Sequence, residues 1–383
     1  MKEDKKLMIF TDWFTPAFKA GGPVKSVHNL VNLIHKDFKI QVVTSDTDEG
    51  DALPMSEITA DKWQHVDGIS VIYLSERKRN LRSIALLIDE HRPDVCYFNS
   101  LFSIKFTIVP LFLLKNNSKV NPLIVLAPRG MLGEGALALK KGKKQLFLTL
   151  SRIFKFYRGI RWHATADTER QEIQKHFGNN VNILVEPNIP NTEFKNVAPQ
   201  KQPGKLNLVF VSRISPKKNL DFALDCLVSM EFTDQIQFDV YGPIEDPDYW
   251  DKCERLINKM PSNIEVQYKG AVTPSQLNAV WSNYHALLFP TMHENFGHVI
   301  FEALSSGIPV VLSEHTPWRN LQSKKLGFDL PLEDKHKWQQ VILHMVQWTE
   351  EEYKDYSRNC VEYAASKYNL EELRQRYIQL FQA

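Results

Sequence analysis

Three things are scarce in this 383-residue sequence, and each scarcity excludes a class of protein. It has four cysteines and no C-x-x-C pair, which argues against a disulfide framework or zinc cluster and favours reduced thiols. No apolar run reaches the roughly 18 residues of a transmembrane helix. The apolar run that follows residues 1–6 is too short to be the core of a signal peptide. The net charge is only +2, so no overall field would attract nucleic acid. We expect a cytoplasmic protein with no nucleic-acid partner.

The pattern of apolar segments predicts an α/β protein of two domains. Hydrophobic residues make up 43% and charged residues 24% of the chain, as in ordinary globular proteins. Strand-like and helix-like segments alternate in both halves, and a Pro- and Asn-rich stretch without apolar periodicity separates them. We place the first domain at 1–188, a linker at 189–204, the second domain at 205–365 and a terminal helix at 366–383. No G-x-G-x-x-G follows a predicted strand, so an NAD enzyme is disfavoured.

The most informative stretch is residues 289–313. An apolar strand ends at Pro290, a loop carries Glu294 and Gly297, and a helix is predicted over 298–306, with Glu302 about two turns into it. Such a helix N-terminus offers unpaired amides to a phosphate, and the two carboxylates can accept hydrogen bonds from sugar hydroxyls. The alternative is an ordinary strand–helix unit with surface glutamates.

The identities and spacing in this stretch resemble those of the retaining GT-B glycosyltransferases, family 4 type (glycosyl transferases group 1). The pattern P-x-x-x-E-x-F-G-x-x-x-x-E-A-x-x-x-G-x-P-V-V is matched throughout, from Pro290 to Val311. The resemblance implies two Rossmann-like domains facing across a cleft, with the terminal helix crossing back to the first domain. It also implies that Glu294 binds the donor sugar, Glu302 the ribose, and Asn295, Phe296 and Gly297 the donor.

Two further elements of the second half resemble the same family. Arg213 and Lys218 follow the predicted strand 206–211, where the family carries cations that neutralise a leaving diphosphate. A basic surface loop is the alternative. Gly242 follows the strand 236–241 and would lie near the nucleotide, although the family's second glycine is missing here.

In the first half, the resemblance implies that Gly21 and Gly22 lie against the donor diphosphate or the acceptor, and we assign them to donor binding, whereas Asn99 and Arg129 are expected on the acceptor side. Gly21 and Gly22 lie between a predicted strand and helix, which suits either a phosphate cradle or a simple turn. The family often has histidines where this chain has Tyr97, Asn99 and Arg129. Arg129 could contact an anionic acceptor group or pair with a carboxylate, and the sequence leaves both open.

No metal or other cofactor is expected. Two D-x-D triplets occur, at 46–48 and 246–248, but both fall in acidic, turn-rich segments and are interpreted as solvated loops. The GT-B resemblance likewise implies a site without metal, in which the nucleotide diphosphate sugar is a co-substrate.

Residues 140–161 have an unusual composition. They contain eight basic residues interleaved with apolar ones, and no acidic residue occurs between Glu134 and Asp167. Such a stretch can lie on an anionic membrane surface, or it can be a core helix with a solvated outer face.

The resemblance implies transfer of a sugar from a nucleotide diphosphate sugar to an acceptor hydroxyl. The expected acceptor is a glycan or lipid-linked molecule of bacterial surface polysaccharide synthesis. The expected enzyme is cytoplasmic and could lie peripherally at the inner face of the membrane. The alternatives are a non-catalytic nucleotide-sugar-binding protein and a GT-B epimerase or phosphorylase-like enzyme.

Overall fold

The chain forms two compact α/β units. The computed structural model describes residues 5–116, 119–133, 137, 141–190 and 194–382. The first domain comprises Met1–Ile189 and Asn369–Ala383, and the second comprises Pro190–Tyr368.

The first domain is built on an eight-stranded sheet. Its strands are β1 Lys6–Phe10, β2 Lys39–Ser45, β3 Trp63–Val66, β4 Ile69–Leu74, β5 Val95–Phe98, β6 Leu123–Leu126, β7 Arg161–Ala164 and β8 Asn182–Val185. The spatial order is β3-β4-β2-β1-β5-β6-β7-β8, and the pairs are parallel except the antiparallel pair β3 with β4.

Alternation along the strands gives this sheet two apolar faces. Leu7 and Ile9 of β1 enter one core, whereas Met8 and Phe10 enter the other. The helices that accompany the sheet are α1 Gly22–Ile34, α2 Leu81–His91, α3 Val109–Asn116, α4 Lys141–Ile153 and α5 Asp167–Phe177. A π-type segment, Ile104–Ile108, leads into α3. Within the described residues, no helix combines the length and the apolar character needed to span a bilayer.

The second domain has a six-stranded, fully parallel sheet. Its strands are β9 Lys205–Val211, β10 Gln235–Tyr241, β11 Ile264–Gly270, β12 Ala286–Phe289, β13 Val310–Ser313 and β14 Gly327–Leu330, in the order β11-β10-β9-β12-β13-β14. Its helices are α6 Leu220–Val228, α7 Pro247–Ile257, α8 Pro274–Trp281, α9 His298–Ser305, α10 Lys335–Val346 and α11 Glu350–Lys367. Because the sheet is parallel, the loops after β9, β12 and β13 emerge at one edge.

The last helix, α12 Leu370–Leu380, completes the core of the first domain. Its buried side chains are those of Leu373, Tyr377 and Leu380. Arg374 binds Asp37 of the first domain through two hydrogen bonds, Nη2 to Oδ1 at 2.5 Å and Nε to Oδ2 at 2.8 Å. The chain therefore returns to the first domain after finishing the second.

Most of the stretch predicted as a linker packs onto the second domain. The amide of Lys195 donates to the Ser305 carbonyl at 3.1 Å, and that of Val197 donates to the Ser306 carbonyl at 3.0 Å. The Lys201 ammonium, only 2% exposed as a residue, donates to three backbone carbonyls, those of Gln202, Val346 and Trp348. This stretch lacks apolar periodicity because it packs onto the second domain without forming a helix or strand, and it is not a free linker.

Candidate active site

At the carboxyl edge of the second sheet, the loops after β9 and β12 are tied together by hydrogen bonds. The Lys217 carbonyl accepts from the Met292 amide at 2.9 Å and from the Thr291 hydroxyl at 3.2 Å. Asn219 is the residue before α6, and its side-chain amide donates to the Pro290 carbonyl at 3.0 Å. These bonds fix the position of the basic segment relative to the loop that carries Glu294.

Lys218 and Glu294 form the central ion pair of this edge. Lys218 Nζ lies 2.7 Å from Glu294 Oε2, and the two side chains are only 12% and 18% exposed. The same ammonium lies 5.3 Å from the centroid of the Phe289 ring. Burial alone would raise the pKa of Glu294, but the charge and hydrogen bond of Lys218 hold it below its usual value. The carboxylate is therefore ionised at neutral pH.

Further cations surround this pair. Arg213 Nη1 lies 3.3 Å from Glu245 Oε1, and both side chains remain partly exposed. The pKa of Lys217 is lowered first by desolvation and then by the positive charge of Lys218. Three basic side chains on one short loop create a positive field that suits a diphosphate.

The start of α9 lies beside Glu294. Gly297 precedes the helix with φ 78°, and a Cβ there would lie 2.6 Å from Ile300 Cδ1 and 3.2 Å from Glu294 Cγ. Helix α9 begins at His298, so Glu302 is just over one turn into it, not two as the sequence suggested. The Asn295 amide donates to Glu294 Oε1 at 3.2 Å.

Phe296, a predicted donor contact, has its ring in the core. The residue is 8% exposed and packs against Phe301, Trp318 and Tyr368. Trp318 Nε1 donates to the Phe296 carbonyl at 2.6 Å. The ring therefore fixes the loop through its packing in the core. It would contribute to ligand binding by holding the loop in position.

Gly242 allows β10 and the loop after β9 to come together closely. A Cβ at this position would lie 1.8 Å from the Ser212 carbonyl oxygen and 3.3 Å from the Arg213 amide nitrogen. A glycine is therefore required here to position Arg213, independently of any contact that Gly242 makes with a nucleotide.

In the first domain, Asn99 lies between the start of α1, which follows Gly21, and Arg129. Gly21 precedes α1 with φ 65°, and a Cβ there would meet nothing within 4 Å. Asn99 is 3% exposed, and its Nδ2 lies 3.5 Å from the carbonyl of Pro23, in the first turn of α1.

Arg129 occupies a left-handed backbone conformation, φ 56°, just after β6. This conformation costs a non-glycine residue on the order of 1 kcal/mol, so surrounding contacts must hold it. The guanidinium donates from Nε to Asn99 Oδ1 at 2.6 Å, from Nη2 to the Tyr97 hydroxyl at 2.7 Å, and from Nη1 to Asn188 Oδ1.

A buried chain of hydrogen bonds extends from Arg129 into the first domain. His163 Nε2 lies 2.9 Å from the Glu186 carbonyl, which can only accept, so Nε2 carries the proton. His163 Nδ1 then accepts from the Tyr97 hydroxyl at 2.9 Å. Burial and the charge of Arg129 lower the pKa of His163 to about 3. His163 is therefore a neutral structural histidine.

Glu169 holds the Arg129–Gly130 turn, and sequence reasoning missed it. The residue is 2% exposed, and its carboxylate accepts from the Gly130 amide at 2.5 Å, the Thr165 amide at 2.6 Å and the Thr165 hydroxyl at 2.7 Å. Its only signal in the sequence was a position in the first turn of α5, where an acidic residue is ordinary.

The first D-x-D triplet is not a solvated loop, so that interpretation was wrong. Asp46 and Asp48 are 3% and 5% exposed. Asp46 pairs with Arg79 at 3.3 Å, and Asp48 accepts from the amides of Phe18 and Lys19 at 2.8 and 3.1 Å. In the second triplet, Asp246 caps α7 by accepting from the Tyr249 amide.

Helix α4, within the basic stretch, has an exposed apolar stripe. Leu146, Leu150 and Ile153 are 61%, 42% and 65% exposed and stand at i, i+4 and i+7, and Phe154 follows at 75%. Leu148 packs into the domain core on the other side. Lys140 lies outside the described residues. The outer face is therefore not simply a polar, solvated one.

Comparison with known proteins identifies the second domain. Residues 191–367, somewhat under half of the chain, match the family Glycosyl transferases group 1. A 41.2 kDa protein in the cps region of Klebsiella pneumoniae is 25% identical over 183 residues, which are 48% of each chain. The peptide N-acetylglucosaminyltransferase GtfA subunit of Streptococcus agalactiae is 24% identical over 37% of this chain and 28% of its own. The matches thus span half or less of these relatives.

Solved structures match over nearly the whole chain. Sucrose-phosphate synthase from Thermosynechococcus elongatus superposes with a TM-score of 0.73 at 15% identity, covering 98% of both chains. Anabaena HepE in complex with UDP and glucose gives 0.70 at 14% identity and 98% of both chains. WaaG, a glycosyltransferase involved in lipopolysaccharide biosynthesis, gives 0.65 at 14% identity, covering 98% of this chain and 100% of its own. Residues 191–367 are thus a group 1 glycosyltransferase domain, in a chain that has the GT-B fold throughout.

Proposed function

We propose that this protein is a retaining glycosyltransferase that transfers a sugar from a nucleotide diphosphate sugar to an acceptor hydroxyl. The observation that carries the proposal is the Lys218–Glu294 pair, half-enclosed beside the start of α9 and next to Lys217 and Arg213. A cationic loop and a helix N-terminus favour a diphosphate, and an adjacent carboxylate suits sugar hydroxyls.

Each residue would have a distinct role. Arg213 and Lys218 would stabilise the charge that develops on the departing diphosphate, assisted by amides near Gly297. Glu294 would hold and orient the donor sugar, and its low pKa keeps it an acceptor of hydrogen bonds. Glu302 would hold the ribose hydroxyls. Attack from the face of the departing phosphate would retain the anomeric configuration without an enzyme nucleophile.

We further propose that the acceptor belongs to surface glycan synthesis at a membrane. The similarity to a protein of a cps region supports the polysaccharide context. The exposed stripe of α4, bordered by Lys143, Arg152 and Lys155, would contact anionic lipid. In this arrangement Asn99 and Arg129 of the first domain would bind the acceptor, and Gly21 and Gly22 would lie against the donor diphosphate.

The proposal is tested with a panel of UDP-, GDP- and ADP-sugars, measuring binding and slow donor hydrolysis. Wild type should prefer one nucleotide sugar. Glu294→Ala and Arg213→Ala should each weaken binding or hydrolysis at least about ten-fold, the range expected for a lost charged contact. Lys325→Ala is the matched control, because it breaks an exposed ion pair with Asp355 in the same domain and should leave the activity intact.

The alternatives give different results. A binding protein would hold a nucleotide sugar without hydrolysing or transferring it, even with an acceptor mixture present. An epimerase or phosphorylase-like enzyme would convert the sugar or require free phosphate. If no nucleotide sugar binds at millimolar concentration, the transferase proposal fails.

A further inference from the structure

Among the residues that the structure describes, the guanidinium of Arg129 has only neutral hydrogen-bond partners. Within residues 5–116, 119–133, 141–190 and 194–382, its hydrogen bonds go to two side-chain amide oxygens and one phenol, those of Asn99, Asn188 and Tyr97. None of the carboxylates in these ranges forms an ion pair with it. The sequence left open whether Arg129 pairs with a carboxylate, and among these residues it does not.

The surrounding groups do not neutralise this charge directly. The Tyr97 hydroxyl donates a hydrogen bond to His163, which is neutral and donates to a backbone carbonyl, so the hydrogen-bonded groups behind Arg129 carry no charge. The carboxylate of Glu169 binds two amides and a hydroxyl. A half-buried cation is therefore fixed in place by dipoles, and three of its five N–H groups are used in fixing it.

Asn99 links this cation to the glycine loop before α1. Its Oδ1 accepts from Arg129, and its Nδ2 points to the Pro23 carbonyl. Asn99 and Arg129 follow the carboxyl ends of β5 and β6, at the edge of a parallel sheet where ligands bind. A planar guanidinium held rigidly at such an edge is suited to recognising an oxyanion.

We propose that Arg129 is a specificity determinant that binds an anionic group of the acceptor, a carboxylate or a phosphate. This inference rests on the proposed function, since it names the acceptor's chemical class. Asn99, Asn188 and Tyr97 are positioning residues, which hold the guanidinium through hydrogen bonds and need not touch the acceptor.

The test compares glucuronate, inorganic phosphate and neutral glucose as probes, with binding to the full chain followed by ligand-observed NMR. Wild type should bind an anionic probe at least about ten-fold more tightly than glucose, as expected for a charge-assisted pair of hydrogen bonds. Arg129→Gln should abolish the preference, and Arg129→Lys should retain part of it. Tyr97→Phe should weaken the preference without abolishing it, because one of the three hydrogen bonds that hold the guanidinium is lost while the charge remains.

A matched acceptor pair extends the test to transfer. Octyl glucuronide and octyl glucoside differ only at the C6 group, and the Arg129→Gln variant should lose the preference for the glucuronide through KM. Glucuronate bound more tightly than phosphate would indicate a uronic acid acceptor, and the reverse order a phosphorylated one. Equal binding of all three probes by wild type would overturn the inference, as would a preference that survives in Arg129→Gln.

Failure of this inference is distinguishable from failure of the proposed function. Donor hydrolysis without any anion preference would remove the acceptor assignment and leave the transferase. An Arg129-dependent anion preference without nucleotide-sugar binding would keep the anion site and remove the transferase.

Discussion

At the scale of single residues, the two domains hold their cations in opposite ways. Lys218 is paired directly with the Glu294 carboxylate, whereas Arg129 is held by neutral oxygens. A diphosphate that binds near Lys218 must compete with the Glu294 carboxylate, which also orients the lysine side chain. Arg129 has no such competitor among the described residues. The two sites should therefore differ in how strongly simple anions occupy them.

The buried imidazole of His163 should make the first domain sensitive to acid. Its pKa is about 3 in the folded chain and 6.5 in the unfolded one, so below pH 6.5 only the unfolded chain gains this proton. The contribution of His163 to the free energy of unfolding is therefore complete above pH 6.5. It declines as the pH falls toward 3, by up to about 1.4 kcal/mol per pH unit.

His163→Gln removes the imidazole that takes up this proton in the unfolded chain. The difference in unfolding free energy between wild type and variant should therefore shrink steadily from pH 6.5 to 4. Denaturant unfolding followed at several pH values measures it. Tyr97→Phe is the control, because it keeps the imidazole and should keep the pH dependence. Parallel pH profiles for wild type and His163→Gln would contradict the assignment.

Gly242 should be far less tolerant of a methyl group than Gly270. Both have positive φ, 145° and 76°, but a Cβ at Gly242 would overlap the Ser212 carbonyl at 1.8 Å, whereas one at Gly270 meets nothing within 4 Å. We expect Gly242→Ala to destabilise the second domain by more than about 3 kcal/mol and Gly270→Ala by about 1 kcal/mol. Denaturant unfolding of the two variants measures these differences. Equal losses of unfolding free energy would contradict the prediction and show that the chain relaxes around Ser212.

At the scale of elements, α4 is unusual in being apolar on two sides. Leu148 packs inward, and the stripe of Leu146, Leu150 and Ile153 faces outward. Burying such side chains in an interface is favourable by about 1.5–3 kcal/mol each, so leaving three exposed is a cost unless something covers them. The neighbouring basic residues favour an anionic lipid surface as the cover.

Replacing Leu146 and Ile153 together by serine should lower partitioning onto phosphatidylglycerol vesicles at least about ten-fold. Vesicle co-sedimentation at low and high salt measures this, and the unfolding midpoint should not fall. The control is the double change Leu81→Ser and Leu86→Ser on α2, which removes leucines that are 51% and 61% exposed in the same domain. Binding equally reduced in both pairs would argue against a role specific to α4.

The elements that the sequence missed are those with weak local signals. β3 is a four-residue antiparallel edge strand, Trp63–Val66, and β14 a four-residue strand beginning with glycine. Helix α7 was missed because Asp246-Pro247-Asp248 suggested a loop, although Asp246 is the cap and Pro247 the first helical residue. The strand–loop–helix from 286 to 305 was predicted correctly, because its turn residues and apolar spacing are all local.

At the scale of the whole molecule, the predicted chemistry relies on fixed side-chain cations instead of a metal ion. Donor hydrolysis should therefore be unchanged after extensive dialysis against EDTA, and added Mg²⁺ or Mn²⁺ should not raise it. Arg213 and Lys218 would supply the positive charge that a metal provides elsewhere. A chelator-induced loss that Mn²⁺ restores would refute this prediction.

The sequence predicted the two-domain α/β organisation but not the Arg129 network. The domains follow from local periodicity and from a long motif with fixed spacing. The network combines residues 97, 99, 129, 163, 169 and 188, which only the folded sheet brings together. Pairings between such distant positions leave no local trace, so the partners of Arg129 could not be read from its neighbours.

Helix α12 means that the second domain is inserted, in the order of synthesis, within the first. Leu373, Tyr377, Leu380 and Phe381 belong to the core that starts at Leu7. On the ribosome, residues 190–368 can fold as they emerge, whereas the first domain must wait for residues translated after them. The part of the first domain's apolar core that α12 covers is thus exposed during translation of the second domain, which makes the nascent first domain the natural client for a holding chaperone.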